Sequence, residues 1–257
     1  MGRIVVTRDG AAAGRLEAQL LDAGHQVAHM PLTEQRVLDD DAELRRGLVA
    51  LREGRYEVLL LTSANTVRAL CRAGWDGAAD PTTRVVVTGA GTALALEDLT
   101  GLTETWSPKA EASAAGILRE LPPPRTSARA LLPQSLQARS DLASGLTDQG
   151  WSVDHVPAYR TVARCGPEAA RLSPDRRLIP DDGAALRPED LRAEDVVLIT
   201  SSTAAEVWAG IGDARLRPHR VLAIGAPTAA TLEALGEAAD AVLPNPTAHG
   251  VREALAG

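Results

Sequence analysis

Residues 59–70, LLLTSANTVRAL, decide how this chain folds. Leu59-Leu60-Leu61 is an apolar run without alternation, the pattern of a strand buried on both faces of a parallel sheet. Val67, Leu70 and Cys71 follow at i, i+3 and i+4, one face of a helix. Between strand and helix stand Thr62, Ser63, Ala64 and Asn65, all small residues or good helix caps. A strand that feeds a capped helix leaves the helix's first N–H groups free above the sheet edge, where an anion can sit. The chain makes this device again. Residues 197–208 read VLITSSTAAEVW, with Thr200-Ser201 where Thr62-Ser63 stood.

The flanking stretches are doubled as well. Residues 3–7, RIVVT, read as a strand, Arg8-Asp9-Gly10 as a turn, and Leu16, Leu20 and Ala23 as one face of a helix that Gly24 stops. Residues 26–29 form a second short strand, closed by Pro31. Residues 129–157 align on 3–31 without a gap, matching Leu16 to Leu142, Leu20 to Leu146, Gly24 to Gly150, His29 to His155 and Pro31 to Pro157. Farther out, VVVTGAGTALALEDL at 85–99 matches VLAIGAPTAATLEAL at 221–235. Similar tails close both halves: SPKAEASAAGILREL after Trp106 and PNPTAHGVREAL after Leu243. The chain is three βα units and then the same three again, an internal repeat of an α/β fold with parallel sheets. Prolines make 121–127, LPPPRTS, neither helix nor central strand, and make 166–191 a surface loop. The repeat alone would divide the domains near Pro123.

Composition narrows the function. A length of 257 residues with 45% hydrophobic and 24% charged residues is that of a soluble globular protein with sizeable cores. Aromatics are 2% and Phe is absent, so the cores are aliphatic. A formal net charge of −7 argues against nucleic acid as a general partner. No stretch is long and apolar enough to span a bilayer, and MGRIVVTRDG lacks a signal peptide's apolar region, so no membrane association and a cytoplasmic location are expected. Cys71 and Cys165 form no metal-binding spacing, and Cys71 on its apolar helix face reads as packing.

Several chemistries are weak on the residues. Gly89-Ala90-Gly91 follows a strand, but the third glycine of a dinucleotide fingerprint is replaced by Leu94, and the repeat has Gly225-Ala226-Pro227. No GxSxG elbow surrounds Ser63, Ser201 or Ser202. His25 and His29 have no Cys or carboxylate cluster beside them, so no metal is expected. What remains is a set of hydroxyls and glycines at strand-to-helix turns. Simple capping by Thr62, Ser63, Thr92, Ser201 and Thr228 explains any one of them. Their number points further: several such turns would hold a polycarboxylate without many cationic side chains.

VVTR before a Gly-stopped helix, TSANTV, VTGAGTA, VPAYRTV, ITSSTAAEV, AIGAPTAATLEALG and PTAHGV, in this order over nearly the whole chain, resemble uroporphyrinogen-III synthase. The chain departs from that pattern at Pro133-Gln134-Ser135, which lacks the glycine and arginine often seen there, and at Asp9, where proline is common. The resemblance implies two similar α/β lobes, each a parallel sheet flanked by helices, joined by two extended connectors with the cleft between lobes. Lobe one would be 1–33 with 162–257, lobe two 37–157, and the connectors 31–37 and 156–163. It implies a hydro-lyase of tetrapyrrole biosynthesis. This enzyme cyclises hydroxymethylbilane, a linear tetrapyrrole polycarboxylate, with loss of water and inversion of the terminal pyrrole through a spiro intermediate. No metal or organic cofactor is implied, and a monomer is the family expectation. By motif match the substrate-binding residues would be Arg8, Thr62, Ser63, Ala64, Asn65, Gly89 and Thr92, and Thr200, Ser201, Ser202, Thr203, Gly225 and Thr228. The alternative is a non-catalytic tetrapyrrole-binding or regulatory relative.

Tyr159, in VPAYRTV on the second connector, is the expected catalytic side chain. The repeat does not explain it, since Thr33 stands at the matched position. A phenol with pKa near 10 stays protonated at neutral pH and can donate to a departing hydroxyl.

Overall fold

A computed structural model describes residues 2–10, 13–125, 128–164, 172, 185–211 and 220–256. Cys165, most of the expected 166–191 loop and the end of 121–127 lie outside the described residues. Two compact units are present. The first takes the described residues up to Glu34 and those from Val162 onward apart from Leu172; the second takes Gln35–Thr161 and Leu172. Pro123 therefore lies inside the second unit rather than at a boundary.

The chain runs β1 (Ile4–Val6), α1 (Arg15–Asp22), β2 (Val27–His29), β3 (Thr33–Val37), α2 (Ala42–Arg52), β4 (Val58–Leu61), α3 (Ala64–Arg72), β5 (Arg84–Val87), α4 (Ala90–Thr100) and α5 (Ala114–Glu120). It continues through β6 (Arg129–Ser135), α6 (Asp141–Asp148), β7 (Ser152–Ala163), β8 (Val196–Ile199), α7 (Ser202–Ile211), β9 (Arg220–Ala223), α8 (Ala226–Ala234), β10 (Ala241–Val242) and α9 (Ala248–Ala256). The first unit's sheet is ordered β10-β9-β8-β1-β2, with every ladder parallel. The second is ordered β3-β7-β6-β4-β5, and β5, β4, β6 and β7 pair in parallel. Numbered by repeat, both sheets share the order 2-1-3-4. In the second unit a single parallel bridge from Val86 to Trp106 stands where the first unit has β10. Each sheet of this order has a switch point between its first and third strands, where ligands of open α/β sheets bind beyond the carboxyl ends.

The apolar runs sit where their lack of alternation demands. Val58–Leu61 and Val196–Ile199 are wholly buried, each strand paired on both sides and covered on both faces. Helices α1 and α6 bury the matched pairs Leu16 with Leu20 and Leu142 with Leu146. Ala23, expected on the same face, is instead the exposed residue that ends α1. Gly24 and Gly150 follow the two helices at φ 81° and 95°, a conformation that a side chain resists. Val67 and Leu70 of α3 are fully buried, and half-buried Cys71 packs against the same cluster. Among the described residues, no helix is long and apolar enough to cross a membrane.

At the amino-terminal edge of the second sheet, Tyr56 is 3% exposed and donates its hydroxyl to Asp154 Oδ2, which also accepts from Arg129 Nη2 at 2.6 Å. The Arg129 guanidinium lies 5.0 Å from the centre of the Tyr56 ring. Burial, and then the bond to Asp154, push the phenol pKa up to about 12. In the unfolded chain it ionises near 10. Above that pH the unfolded state sheds a proton that the native state keeps, so this contribution to stability is full below pH 10 and is lost as pH rises toward 12. Urea unfolding at pH 9 and 11 should show wild type losing about 1 kcal/mol more than Tyr56→Phe. Equal losses would rule the linkage out.

Candidate functional site

In the second unit, Thr62 and Ser63 stand between the end of β4 and the start of α3. Ser63 Oγ caps the helix, accepting from Thr66 N at 3.1 Å. The N–H groups of Ala64 and Asn65 have no acceptor among the described residues. After neighbouring β5, Gly89 is the N-cap of α4 and carries no capping group, leaving Ala90 and Gly91 N–H open in the same way. Two helix amino termini thus stand side by side at one sheet edge, each carrying partial positive charge. Asn65 Oδ1 accepts from Arg68 Nη1 at 3.0 Å, which brings a guanidinium into the first turn. Arg68 was not singled out from the sequence, since a single arginine on a helix carries no pattern of its own.

The first unit has the same edge. Ser201 Oγ accepts from Ala204 N at 3.1 Å, while the N–H groups of Ser202 and Thr203, which begin α7, have no acceptor among the described residues. Ser202 Oγ donates to Pro227 O at 3.3 Å, tying α7 to the start of α8. At the switch point, Thr200 N donates to Thr7 Oγ1 at 3.1 Å, and the two threonine hydroxyls lie 3.3 Å apart. Gly225 is the N-cap of α8, and Pro227 removes one donor, so Ala226 supplies that turn's open N–H.

Three of the threonines do not cap their helices as simple capping would have it. Thr92 and Thr228 occupy the third helical position, point inward and are 6% and 4% exposed, their N–H groups bonded to Gly89 O and Gly225 O. Thr62 accepts instead from Gln134 Nε2 at 3.2 Å. Capping therefore accounts for Ser63 and Ser201 and leaves the rest of the set to other work. Arg8 is held by Glu17 in a two-pronged ion pair, with Nη2 2.7 Å from Oε2. Burial alone would raise the Glu17 pKa, but the Arg8 guanidinium and Gly14 N–H hold it below the usual carboxylate range. The Arg8 side chain as a whole keeps one third of its surface exposed.

Tyr159 owes its direction to a bulge. Along β6 and β7, Gln134 pairs with Pro157 but Ser135 pairs with Tyr159, so Ala158 is an extra residue on β7. The bulge breaks alternation and turns both Ala158 and Tyr159 inward. Tyr159 is 8% exposed, its ring in the core and its hydroxyl 3.1 Å from Ser63 Oγ. Burial raises the phenol pKa, partly offset by hydrogen bonds to Ser63 and Thr66, so it is neutral at physiological pH. Tyr159, Thr62, Ser63, Ala64, Asn65, Gly89 and Thr92 thus gather at the edge of one unit. Arg8, Thr200, Ser201, Ser202, Thr203, Gly225 and Thr228 gather at the edge of the other. Among the described residues, no three His, Cys, Asp or Glu side chains cluster as a metal site would require.

A sequence model of the family described as uroporphyrinogen-III synthase HemD matches residues 14–252. The chain belongs to the uroporphyrinogen-III synthase family. It is 27% identical over 165 residues to the chloroplastic uroporphyrinogen-III synthase of Oryza sativa subsp. japonica, which covers 62% of this chain and 53% of the rice protein. The chain thus spans about half the length of that relative. Two solved structures share the fold. A mutant uroporphyrinogen III synthase of the extremely thermophilic bacterium Thermus thermophilus is 20% identical, with a TM-score of 0.53 over 100% of this chain and 99% of that one. The uroporphyrinogen-III synthetase of Helicobacter pylori is 15% identical, with a TM-score of 0.58 over the same shares. At these identities the likeness speaks for the fold alone.

Proposed function

We propose that this protein is a uroporphyrinogen-III synthase, closing hydroxymethylbilane into uroporphyrinogen III with loss of water. The observation that carries the reading is the doubled array of open helix N–H groups at the carboxyl edges of both sheets, in a chain of this family. Each pyrrole of the substrate bears an acetate and a propionate, and these turns suit carboxylates. An acidic protein can bind so acidic a ligand because the donors are backbone groups rather than lysines. The substrate closes without inversion when left alone, so much of the enzyme's work is to hold the chain in the geometry of attack through the substituted carbon of the last ring.

Tyr159 assists departure of the hydroxymethyl oxygen. Its neutral phenol bonds Ser63, whose hydroxyl stands half-buried at the start of α3, so the pair can present one donor proton to the leaving oxygen. A phenol whose pKa burial raises is a weak acid, so it offers a hydrogen bond rather than complete proton transfer, and the pyrrole nitrogen supplies most of the push. Tyr159→Phe should therefore slow turnover by roughly one to two orders of magnitude with its fold intact. Incubation with hydroxymethylbilane and separation of the uroporphyrinogen isomers tests both statements. Product of the uncatalysed isomer alone from wild type would sink the function, and wild-type turnover by Tyr159→Phe would sink the donor role.

A further inference from the structure

Gln134 is the last residue but one of β6, at the switch point of the second unit, the repeat position that Arg8 holds in the first. The two residues have parted company. Arg8 is neutralised by Glu17, whereas the residue matched to Glu17 is Ala143, so the repeat supplies no carboxylate for position 134. Gln134 is 8% exposed and turns its amide to Thr62, Nε2 donating to Oγ1 at 3.2 Å. Its Oε1 is sealed from solvent and has no hydrogen-bond partner among the described residues. A buried carbonyl oxygen without a donor is costly. The reversed amide would be worse, since it would seal two N–H groups in place of one oxygen. An arrangement that stability alone does not favour is therefore kept beside the open N–H groups of α3.

Its consequence lies on Thr62. A hydroxyl that accepts from an amide keeps its own proton to give, and no acceptor for the Thr62 proton exists among the described residues. We propose that Gln134 is a positioning residue: it fixes Thr62 Oγ1 as an acceptor on the protein side, so that the hydroxyl proton points to a substrate carboxylate held by Ala64 and Asn65 N–H. This rests on the functional reading above and goes beyond it by giving this carboxylate seat a side-chain donor that the backbone account lacks.

The test is a cycle of variants assayed with hydroxymethylbilane, with the uncatalysed rate subtracted. Gln134→Met removes the amide at equal length. Gln134→Glu matches the glutamine in shape, and at neutral pH its carboxylate takes the Thr62 proton inward. Both should raise KM about tenfold, the usual effect of losing one hydrogen bond to a charged group, while kcat stays within a few-fold. Thr62→Val should do the same. Gln134→Met added to Thr62→Val should cost nothing more, because the glutamine acts only through that hydroxyl. Wild-type KM in either Gln134 variant, or multiplying losses in the double variant, would overturn the proposal. Gln134→Glu answers the question if Gln134→Met does not fold. A wild-type chain inert toward hydroxymethylbilane would overturn the functional reading itself, and it would be seen before any variant is made.

Discussion

Gly225→Val should leave the fold as stable as wild type and lower kcat/KM by about 100-fold. Gly225 has φ −177°, extended backbone that any residue adopts, so no strain follows from a side chain there. A Cβ at this position would meet nothing nearer than Pro227 Cδ at 3.9 Å, an ordinary contact. Neither backbone geometry nor packing within the unit requires glycine. The side chain would instead project beside the open N–H of Ala226 and exclude a carboxylate from it. Losing a charge-assisted bond together with the space for its acceptor is worth about 3 kcal/mol, hence the hundredfold. Gly89, the matched N-cap of the second unit, is a poorer probe. Its Cβ would lie 3.0 Å from that of Ala112, so a loss of activity there mixes binding with packing. Thermal melts together with steady-state kinetics decide the matter: full activity in Gly225→Val would mean that no ligand group approaches that turn.

How much of this could be read from the sequence follows the range of the interactions concerned. Strands β4 and β8 were legible because burial on both faces leaves its mark in consecutive residues, and the repeat was legible because Gly24 and Gly150 end matched helices in the same left-handed turn. Helix α2 was not singled out: Leu44, Leu48 and Leu51 carry its buried face, but Glu43, Arg45, Arg46, Arg52 and Gly47 dilute the pattern. The Arg8–Glu17 pair joins residues nine apart across a turn and a helix start, a spacing that no helical or strand period marks. Resemblance alone pointed to Tyr159. Its inward turn depends on a bulge set by pairing with β6, more than twenty residues away. Gln134 was noted only as a departure, because the value of an amide at that position depends on Thr62, seventy-two residues away.

Gly250→Ala should be among the most destabilising small substitutions in the chain, costing about 3 kcal/mol and lowering the melting temperature by roughly 10 °C. The reason is a close approach that the repeat makes twice. In α9, Gly250 is the third residue, and Thr247 Oγ1 accepts from its N–H at 3.1 Å. Thr247 N donates to Asn245 O at 2.8 Å, which draws that carbonyl under the helix. An alanine Cβ would fall 2.2 Å from the same oxygen. In α5, Gly116 N donates to Ser113 Oγ at 3.1 Å, Ser113 N donates to Glu111 O at 2.8 Å, and a Cβ would fall 1.9 Å from that oxygen. In each case the obstacle is backbone, so relief requires moving the helix's first turn. That turn is anchored by the next residue, Val251 or Ile117, each 0% exposed in its core. Glycine is needed here for room. Gly210 gives the opposite sign: it lies in α7 with nothing among the described residues within 4 Å of where a Cβ would stand, so Gly210→Ala should stabilise by about 0.5–1 kcal/mol. Urea unfolding of the three alanine variants measures the contrast, with Gly250→Ala and Gly116→Ala each weakening its own unit. Wild-type stability in Gly250→Ala would show that the loop at Asn245 yields freely and that the repeated glycine has no structural cause.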